Sequence, residues 1–227
     1  MPLPPPKHAH MQEPMQELSD EHLMQAYAAG DAAAFDVLYA RHEGALFRFV
    51  RRVLGSRFTA QADEVFQDCW LRIVTARESF TPERGRWKTW AFTVAHNLAM
   101  DRLRVSGREI SLDGMNDGDD GSVSTGDLGW LRASLQNALD PSSNATHIST
   151  EDIAHWRAAG QQLLHCLDAL PALQRAAFLL HHEDGSSVEE LARALGLGFE
   201  TAKSRLRYAL QKLRGCMQPY LTAWEAA

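Results

Sequence analysis

The sequence predicts an all-α protein with two helical domains joined by a flexible acidic linker. Apolar residues recur at the spacing i, i+3, i+4 and i+7 through both halves of the chain, which is typical of amphipathic helices. No segment carries a β-hairpin signal, and no internal repeat is visible. Between the halves, residues 114–129 consist mainly of Gly, Asp, Ser and Asn, a composition that indicates a linker.

The length and composition of the chain agree with a protein of two helical domains. A chain of 227 residues with 45% apolar content suits one large domain or two small ones. The three cysteines, Cys69, Cys166 and Cys216, are too few and too scattered to predict a disulfide framework, and no pair has zinc-finger spacing. We therefore expect a protein of the reducing cytoplasm. The first residues lack the apolar core of a signal peptide, and no run of about 20 apolar residues predicts membrane insertion.

The net charge of −6 is unevenly distributed. Residues 106–159 contain 3 basic and 9 acidic residues, whereas residues 17–105 contain 12 of each and residues 160–217 contain 7 and 6. Thr201 to Gly215 holds five basic residues and no acid. A local basic patch decides DNA binding more than the average of the chain does.

The first domain is predicted over residues 18–105, after a Pro-rich, disordered tail over residues 1–17. A helix start is predicted at Ser19-Asp20-Glu21, where the acids lie near the positive end of the helix dipole. Gly30-Asp31 ends this helix, and Gly55 ends the next. The apolar stripe of the second helix comprises Phe35, Leu38, Tyr39, His42, Leu46, Phe49, Val50 and Val53.

The third helix, from Asp63, has two contrasting faces. Its core face is predicted to contain Val65, Phe66, Cys69 and Ile73. The opposite face is a polar ridge with one apolar member, and it comprises Asp63, Glu64, Gln67, Asp68 and Leu71. Such a ridge suits docking on a basic partner surface, and a solvated helix face explains it equally well.

Aromatic and basic residues mark the loop Phe80–Arg86 and the fourth helix behind it. Aromatic rings, cations and amide donors are what single-stranded bases require for stacking and edge hydrogen bonds. The candidates are Phe80, Arg84, Arg86, Trp87, Lys88, Asn97 and Arg104. Trp90, Ala91, Val94, Ala95 and Leu98 are predicted to pack inward, and His96 and Met100 to share the outer face. Trp87 suits either a base-stacking or a core role.

The acidic linker is predicted over residues 106–159. Leu128, Leu131, Leu135 and Leu139 are spaced as in a short amphipathic helix within it. Helical periodicity resumes near Glu151, and the second domain is predicted over residues 160–217, followed by a tail over residues 218–227.

The second domain contains a predicted helix-turn-helix. Leu163, Leu164, Leu167 and Leu170 lead to a break at Pro171, and a further helix closes around Gly185. Ser187 with Glu190 predicts a capping-box start, and Gly196 suits a left-handed position after the short helix. The last helix is predicted from Phe199 to Arg214, with Ala202, Leu206, Ala209, Leu210 and Leu213 facing the core.

The other face of the last helix is rich in hydrogen-bond donors. It carries Thr201, Lys203, Ser204, Arg205, Arg207 and Tyr208. Short donors followed by Arg and Lys near a helix start suit the major groove of DNA. A solvated basic face is the alternative, and the preceding turn, the short helix and the lack of acids favour DNA binding.

These residues together resemble an extracytoplasmic-function (ECF) sigma factor of the sigma-70 family. In the first half the resemblance is carried by Gly30-Asp31, Asp63 to Asp68, Phe80 to Trp90, and Asp101 to Arg104. In the second half it is carried by Leu170-Pro171, Arg175, Ser187 with Glu190, and Thr201 to Arg205. The first half is similar to sigma region 2 and the second to region 4.

The resemblance implies a non-enzymatic transcription factor without a cofactor or metal, acting in the bacterial cytoplasm. The ridge Asp63–Leu71 would dock on the β′ clamp helices of core RNA polymerase, with the β subunit as a further partner. Residues 80–88, Asn97 and Arg104 would capture −10 bases of promoter DNA during melting, and the Thr201–Tyr208 face would read the −35 element. The linker would thread toward the RNA exit channel, and an anti-sigma factor is the expected inhibitor.

Two other functions are weighed. A helix-turn-helix regulator that acts without polymerase explains the last 60 or so residues but neither the acidic ridge nor the aromatic-basic loop. A metalloenzyme would use His165, Cys166, His181 and His182, but adjacent helical residues do not readily point at one ion.

Overall fold

The structure is a computed structural model and describes residues 15–106 and 150–225. Every regular element in those ranges is helical, which confirms the predicted all-α fold. The first domain contains α1 (Asp20–Ala28), α2 (Ala32–Leu54), α3 (Ala62–Thr75) and α4 (Trp87–Val105). The second contains α5 (Thr150–Ala169), α6 (Ala172–Leu179), α7 (Val188–Leu195) and α8 (Phe199–Glu225). No helix in the described ranges is long and apolar enough to cross a membrane.

Side-chain caps set the helix boundaries of the first domain where the sequence predicts them. The Ser19 hydroxyl accepts from the His22 backbone N–H at 3.3 Å, and Asp31 Oδ1 accepts from the Ala33 N–H at 3.0 Å. Gly30 and Gly55 adopt φ values of +105° and +76° between helices, which side chains with a Cβ rarely reach.

Asp20 attaches α1 to α2. Its carboxylate lies 2.9 Å from Arg41 Nη1 and 2.7 Å from His42 Nε2. Burial alone would raise the pKa of Asp20, but the hydrogen bonds from His42 and Arg41 hold that pKa below its usual value.

Helix α4 is buried on two sides, and this corrects its predicted inward face. Of the predicted set, Ala91 and Ala95 are fully buried, whereas Trp90, Val94 and Leu98 are only half-buried. His96 and Met100, predicted on the outer face, are buried. The reason is that α4 packs against α1, α2 and α3 on one side and against α7 and the turn at Leu180–Asp184 on the other.

The helix-turn-helix forms as predicted. Ser187 and Glu190 make the reciprocal capping box at the start of α7, and Gly196 is left-handed with φ +63° at its end. Helix α8 runs through Pro219 to Glu225, so the predicted end at Arg214 is wrong. Met217 extends the buried stripe of Leu210 and Leu213 at helical spacing, and this packing outweighs the weak helix propensity of Gly215 and Pro219.

A disulfide joins α5 to α8 in the second domain. Cys166 and Cys216 are bonded, with a Cα–Cα distance of 5.9 Å and a sequence separation of 50 residues. The sequence predicted no disulfide framework, and it did not identify this single pair. Because α5 packs along α8, residues that are distant in the sequence become neighbours, and spacing alone cannot show this.

The two domains pack against each other through the end of α2. The Arg175 side chain, 1% exposed, donates from Nη2 to the Val53 carbonyl at 2.9 Å. Gly55 allows this approach, since a Cβ there would lie 2.9 Å from Arg175 Nη1 and 3.0 Å from Asp168 Oδ1. The described domains therefore form a closed arrangement.

Parts of the predicted tail and linker lie outside the described residues. These include residues 1–14, residues 107–149 and the amphipathic segment Leu128–Leu139. Within the described ranges, Met15–Glu17 forms a 3-10 turn that belongs to the predicted tail, and the Gln16 carbonyl accepts from Arg41 Nη2 at 2.5 Å. Helix α5 begins at Thr150, inside the stretch predicted as linker.

Candidate partner and nucleic-acid interfaces

The ridge of α3 lies on the surface. Asp63, Glu64, Gln67 and Asp68 are exposed, and Leu71 is 62% exposed. Val65, Cys69 and Ile73 are buried on the opposite face, with Phe66 half-buried beside them. An apolar side chain so exposed beside three carboxylates is the composition of a docking surface with an apolar centre and a polar rim.

Two details modify this ridge. Glu64 forms an ion pair with Arg102 of α4, so its charge is partly neutralised within the domain. Behind the ridge, burial raises the pKa of the Cys69 thiol to about 12, which keeps it protonated and unreactive near neutral pH.

The loop Phe80–Arg86 forms one wall of a cleft of about 410 Å³. The Phe80 ring packs on the Trp90 ring with centroids 5.6 Å apart, and Arg84 and Arg86 are exposed. From the first domain the cleft is lined by Ser79, Phe80, Thr81, Arg84, Gly85, Arg86, Thr89, Trp90 and Thr93. From α7 it is lined by Glu190, Arg193 and Ala194.

Trp87 does not belong to this surface, which corrects its inclusion among the predicted base-stacking residues. Its side chain is 0% exposed, and its ring lies 4.6 Å from His42 and 6.5 Å from Trp70. Its backbone N–H donates to Glu21 Oε1 at 2.9 Å, so α1 caps the start of α4. Trp90, predicted as core, is instead half-buried and lines the cleft.

The remaining candidates of the first domain are spread along α4. Lys88 Nζ donates to the Glu183 carbonyl of the second domain at 2.8 Å. Asn97 is exposed, and its Oδ1 lies 3.1 Å from His96 Nδ1. Arg104 is exposed and pairs with Asp101 at 2.6 Å. Lys88 therefore contacts the second domain, whereas Asn97 and Arg104 remain on the surface.

The predicted DNA-binding face of α8 is only partly exposed. Lys203 is exposed, and Thr201, Ser204, Arg205, Arg207 and Tyr208 are half-buried. The Arg207 guanidinium lies 5.1 Å from the Tyr208 ring centroid, and burial lowers the pKa of Arg205. The predicted core residues Ala202, Leu206, Ala209, Leu210 and Leu213 are all buried, which confirms the predicted amphipathic pattern.

Contacts between the first and second domains bring the two predicted DNA-binding surfaces together. Arg86 Nη2 lies 3.6 Å from Glu190 Oε2. The pKa of Glu190 is lowered mainly by the hydrogen bond from the Ser187 backbone N–H and further by Arg86. The Arg205 guanidinium is near enough to help lower the pKa of His96 on α4.

The sequence did not predict that the second domain contacts the first through Glu183, Glu190 and Arg193. Glu183 forms an ion pair with Arg52 at the end of α2. Nothing in the local pattern signals these contacts, because they depend on how the two domains meet.

His181, His182 and Cys166, which were weighed as metal ligands, have other partners. His181 Nδ1 lies 2.6 Å from the Ser186 carbonyl, His182 packs on Phe178 with ring centroids 4.3 Å apart, and Cys166 is in the disulfide. Among the described residues no group of three potential ligands could hold a metal ion.

Family models match both halves of the chain. The model for sigma-70 region 2 matches residues 38–109, and the model for sigma-70 region 4 matches residues 160–213. Together the two matches span more than half of the sequence.

Curated relatives match over most of their length. The ECF RNA polymerase sigma factor SigK of Mycobacterium tuberculosis (strain ATCC 25618 / H37Rv) is 28% identical over 195 residues, covering 86% of this chain and 91% of the relative. SigK of Mycolicibacterium vanbaalenii is 27% identical over 198 residues, covering 86% and 87%.

Solved structures share the fold. CnrH in complex with the cytosolic domain of CnrY matches with a TM-score of 0.53 and 21% identity, covering 88% of this chain and 97% of that chain. The sigma factor RpoE in complex with the anti-sigma factor NepR from Bartonella quintana also matches with a TM-score of 0.53 and 21% identity, covering 81% and 96%.

The helix-turn-helix, the exposed ridge and the aromatic-basic cleft define a sigma-type transcription factor. With the matches to both regions, the chain belongs to the ECF RNA polymerase sigma factors of the sigma-70 family.

Proposed function

We propose that this chain binds core RNA polymerase, recognises −35 and −10 promoter elements and promotes melting for a specific set of genes. It acts as an initiation factor rather than an enzyme, in the bacterial cytoplasm where polymerase and promoters are found. The observation that carries the proposal is the ridge Asp63–Leu71, where an exposed leucine lies among exposed acids on one face of α3.

The ridge supplies the polymerase contact. Asp63 and Asp68 are exposed, so they are available to a basic partner. The acidic ridge is expected to meet the β′ clamp helices, with Leu71 as the apolar centre of the contact.

Charge reversal tests this contact. Asp63→Arg with Asp68→Arg is expected to weaken binding to purified core polymerase by about tenfold or more, because like charges then face the basic partner. The matched control is Asp36→Arg with Glu189→Arg, which makes the same charge change at exposed positions outside the ridge. If the ridge variant and the control bind core polymerase with equal affinity, the ridge is not the polymerase contact.

The −10 contact is proposed for the cleft beside Phe80–Arg86. Phe80 and Trp90 supply aromatic surface, and Arg84 and Arg86 supply cations beside it. A base flipped out of melted DNA is held by such a combination. Lys88, Asn97 and Arg104 would hold the adjoining strand.

The −35 contact is proposed for the face of α8 led by Lys203 and Arg205. Arg205→Ala is expected to lower discrimination at one base pair by roughly 1–3 kcal/mol if Arg205 binds that base. Binding to a library of −35 sequences measures this. If Arg205→Ala weakens binding equally to every −35 sequence, Arg205 contacts a phosphate and does not read a base.

The alternative is a helix-turn-helix regulator that does not join polymerase. Run-off transcription with purified core polymerase separates the two functions. A sigma factor makes promoter-specific transcripts appear, whereas a regulator binds duplex DNA and leaves the promoter choice of the core enzyme unchanged.

An inhibitor protein is also proposed as a partner. Two solved structures with this fold were determined as complexes, one with the cytosolic domain of CnrY and one with the anti-sigma factor NepR. An anti-sigma factor that covers the ridge of α3 would block polymerase binding directly.

A further inference from the structure

A second cleft, of about 380 Å³, lies between the two domains and away from the surfaces described above. One wall is the end of α2 and the turn behind it, with Arg48, Arg51, Arg52, Gly55, Ser56 and Thr59. The other wall is α5, with Leu164, Leu167 and Asp168. A cleft of this size at a domain boundary is typical of small-ligand sites.

The inner charges of this cleft are already compensated. Arg52 pairs with Glu183, and Asp168 lies 3.7 Å from Arg175 Nη1. Asp168 also accepts the Ser56 backbone N–H at 3.2 Å. A ligand therefore meets little net charge from these inner groups.

Arg48 and Arg51 differ from the inner groups. Both are exposed and lie on α2 one turn apart, at a spacing that puts two positions on the same side of a helix. The Arg51 guanidinium lies 5.8 Å from the Phe47 ring centroid. Within the described residues neither has a carboxylate within ion-pair distance. Burial, together with the positive charges of Arg48 and Arg51, lowers the pKa of Arg52 to about 10.

The lining beside these two arginines is apolar or hydroxylic. Leu164 is 45% exposed, and Leu167 is buried behind it. Ser56 and Thr59 line the same wall as the arginines, and the Thr59 hydroxyl donates to the Ser56 carbonyl at 3.1 Å. Two forked guanidinium groups recognise a phosphoryl dianion, and a leucine surface accepts an apolar ring or chain.

We propose that this cleft binds a small organic phosphate, with the phosphoryl group on Arg48 and Arg51 and the apolar body against Leu164. The volume admits a ligand of about mononucleotide size and is too small for a protein helix, which favours a small molecule over an acidic peptide. Because α2 and α5 belong to different domains, the bound ligand favours the closed arrangement.

The proposal goes beyond promoter recognition and is tested on the full chain alone, without polymerase or DNA. Isothermal titration calorimetry at low ionic strength compares ADP, inorganic pyrophosphate and adenosine. ADP is expected to bind with one site per chain and pyrophosphate more weakly, and adenosine is expected not to bind. Arg48→Ala with Arg51→Ala should weaken ADP binding roughly 10- to 100-fold, as expected for the loss of charge-assisted hydrogen bonds.

Two further variants sharpen the test. Arg57→Ala with Lys212→Ala removes the same charge at exposed positions outside the cleft and should retain ADP binding. Leu164→Ser should weaken ADP binding while leaving pyrophosphate binding unchanged, since only ADP has a body to place on that wall. Circular dichroism confirms that each variant is folded.

Three results would overturn the proposal. The first is no saturable binding of either ADP or pyrophosphate at millimolar concentration. The second is equal weakening by the cleft variant and the Arg57/Lys212 control, which would mean non-specific charge attraction. The third is saturable binding of an acidic peptide when neither phosphate compound binds, which would make the cleft a protein-docking site.

Discussion

His96 is a buried base surrounded mainly by positive charge. It is 7% exposed on α4, and burial, together with the charges of Arg104 and Arg205, lowers its pKa to about 4. The hydrogen bond to Asn97 and the charge of Asp101 oppose this shift. The folded protein therefore holds His96 neutral at pH values where an unfolded chain protonates it.

This residue predicts acid sensitivity. The unfolded chain protonates His96 below its usual pKa of 6.5, and the folded chain does so only near pH 4. The stabilisation is therefore complete above about pH 6.5 and decreases down to about pH 4. The full effect is on the order of 3 kcal/mol. Urea unfolding from about pH 7.5 to 5 should therefore show a smaller pH dependence for His96→Gln than for the parent.

The control for this experiment is His165→Gln, which changes an exposed histidine on α5. It should retain the pH dependence of the parent protein. If His96→Gln and His165→Gln give parallel stability curves, His96 is not the source of the acid sensitivity.

At the scale of single residues, the polarity of a helix face was easier to predict from the sequence than the direction in which an individual side chain faces. The ridge residues Asp63, Gln67 and Asp68 are exposed as predicted because α3 has one polar and one apolar face. Trp87 is buried because its ring packs against His42 of α2 and Trp70 of α3, whereas Trp90 lines the cleft, and an aromatic side chain alone does not indicate which of the two is buried. The periodicity of α4 misplaces His96 because this helix is covered on two sides.

Among the helices, α5 and α8 are tied by the Cys166–Cys216 disulfide. The bond closes a loop with a sequence separation of 50 residues, which restricts the unfolded chain. Reduction of this bond would release the constraint and lower the stability of the helix-turn-helix domain.

Removing the disulfide should destabilise this domain. Cys166→Ser with Cys216→Ser is expected to lower the free energy of unfolding by roughly 4 kcal/mol, from the entropy of the released loop. Thermal unfolding with and without dithiothreitol measures the effect. The reductant should lower the melting temperature of the parent and of Cys69→Ala, and leave that of the double variant unchanged.

An equal response of the parent and the double variant to the reductant would show that the disulfide contributes nothing to stability in solution.

Local signals predicted the starts and ends of α1, α2 and α7, because each depends on neighbouring residues such as Ser19, Gly55 and Ser187. The disulfide and the full length of α8 depend instead on α5 packing along α8.

In the whole molecule, the closed arrangement places α7 opposite the loop Phe80–Arg86. The contacts between Arg86 and Glu190 and between Arg175 and Val53 join the domains. The sequence predicted two domains with an acidic linker between them. It did not predict that the two domains are in contact. The partners are separated by about a hundred positions in the sequence, and no local pattern records such a pairing.

Arg52 of the first domain and Glu183 of the second form an ion pair. Both side chains are largely buried and paired where the domains meet. Breaking a buried ion pair by removing one partner costs about 3–5 kcal/mol, because the other charge stays buried without compensation. In an open arrangement water solvates Arg52, so the cost falls on the closed arrangement alone.

Glu183→Gln is therefore expected to open the molecule. Small-angle X-ray scattering should show a larger radius of gyration than for the parent, and promoter DNA should bind the free chain more tightly because the Phe80–Arg86 loop and α8 separate. Glu189→Gln makes the same charge change at an exposed position and should leave both unchanged. Adding Arg52→Gln to Glu183→Gln removes the stranded charge and should restore much of the compaction. A variant that loses stability without any change in scattering would show that the pair stabilises its local packing and does not hold the domains together.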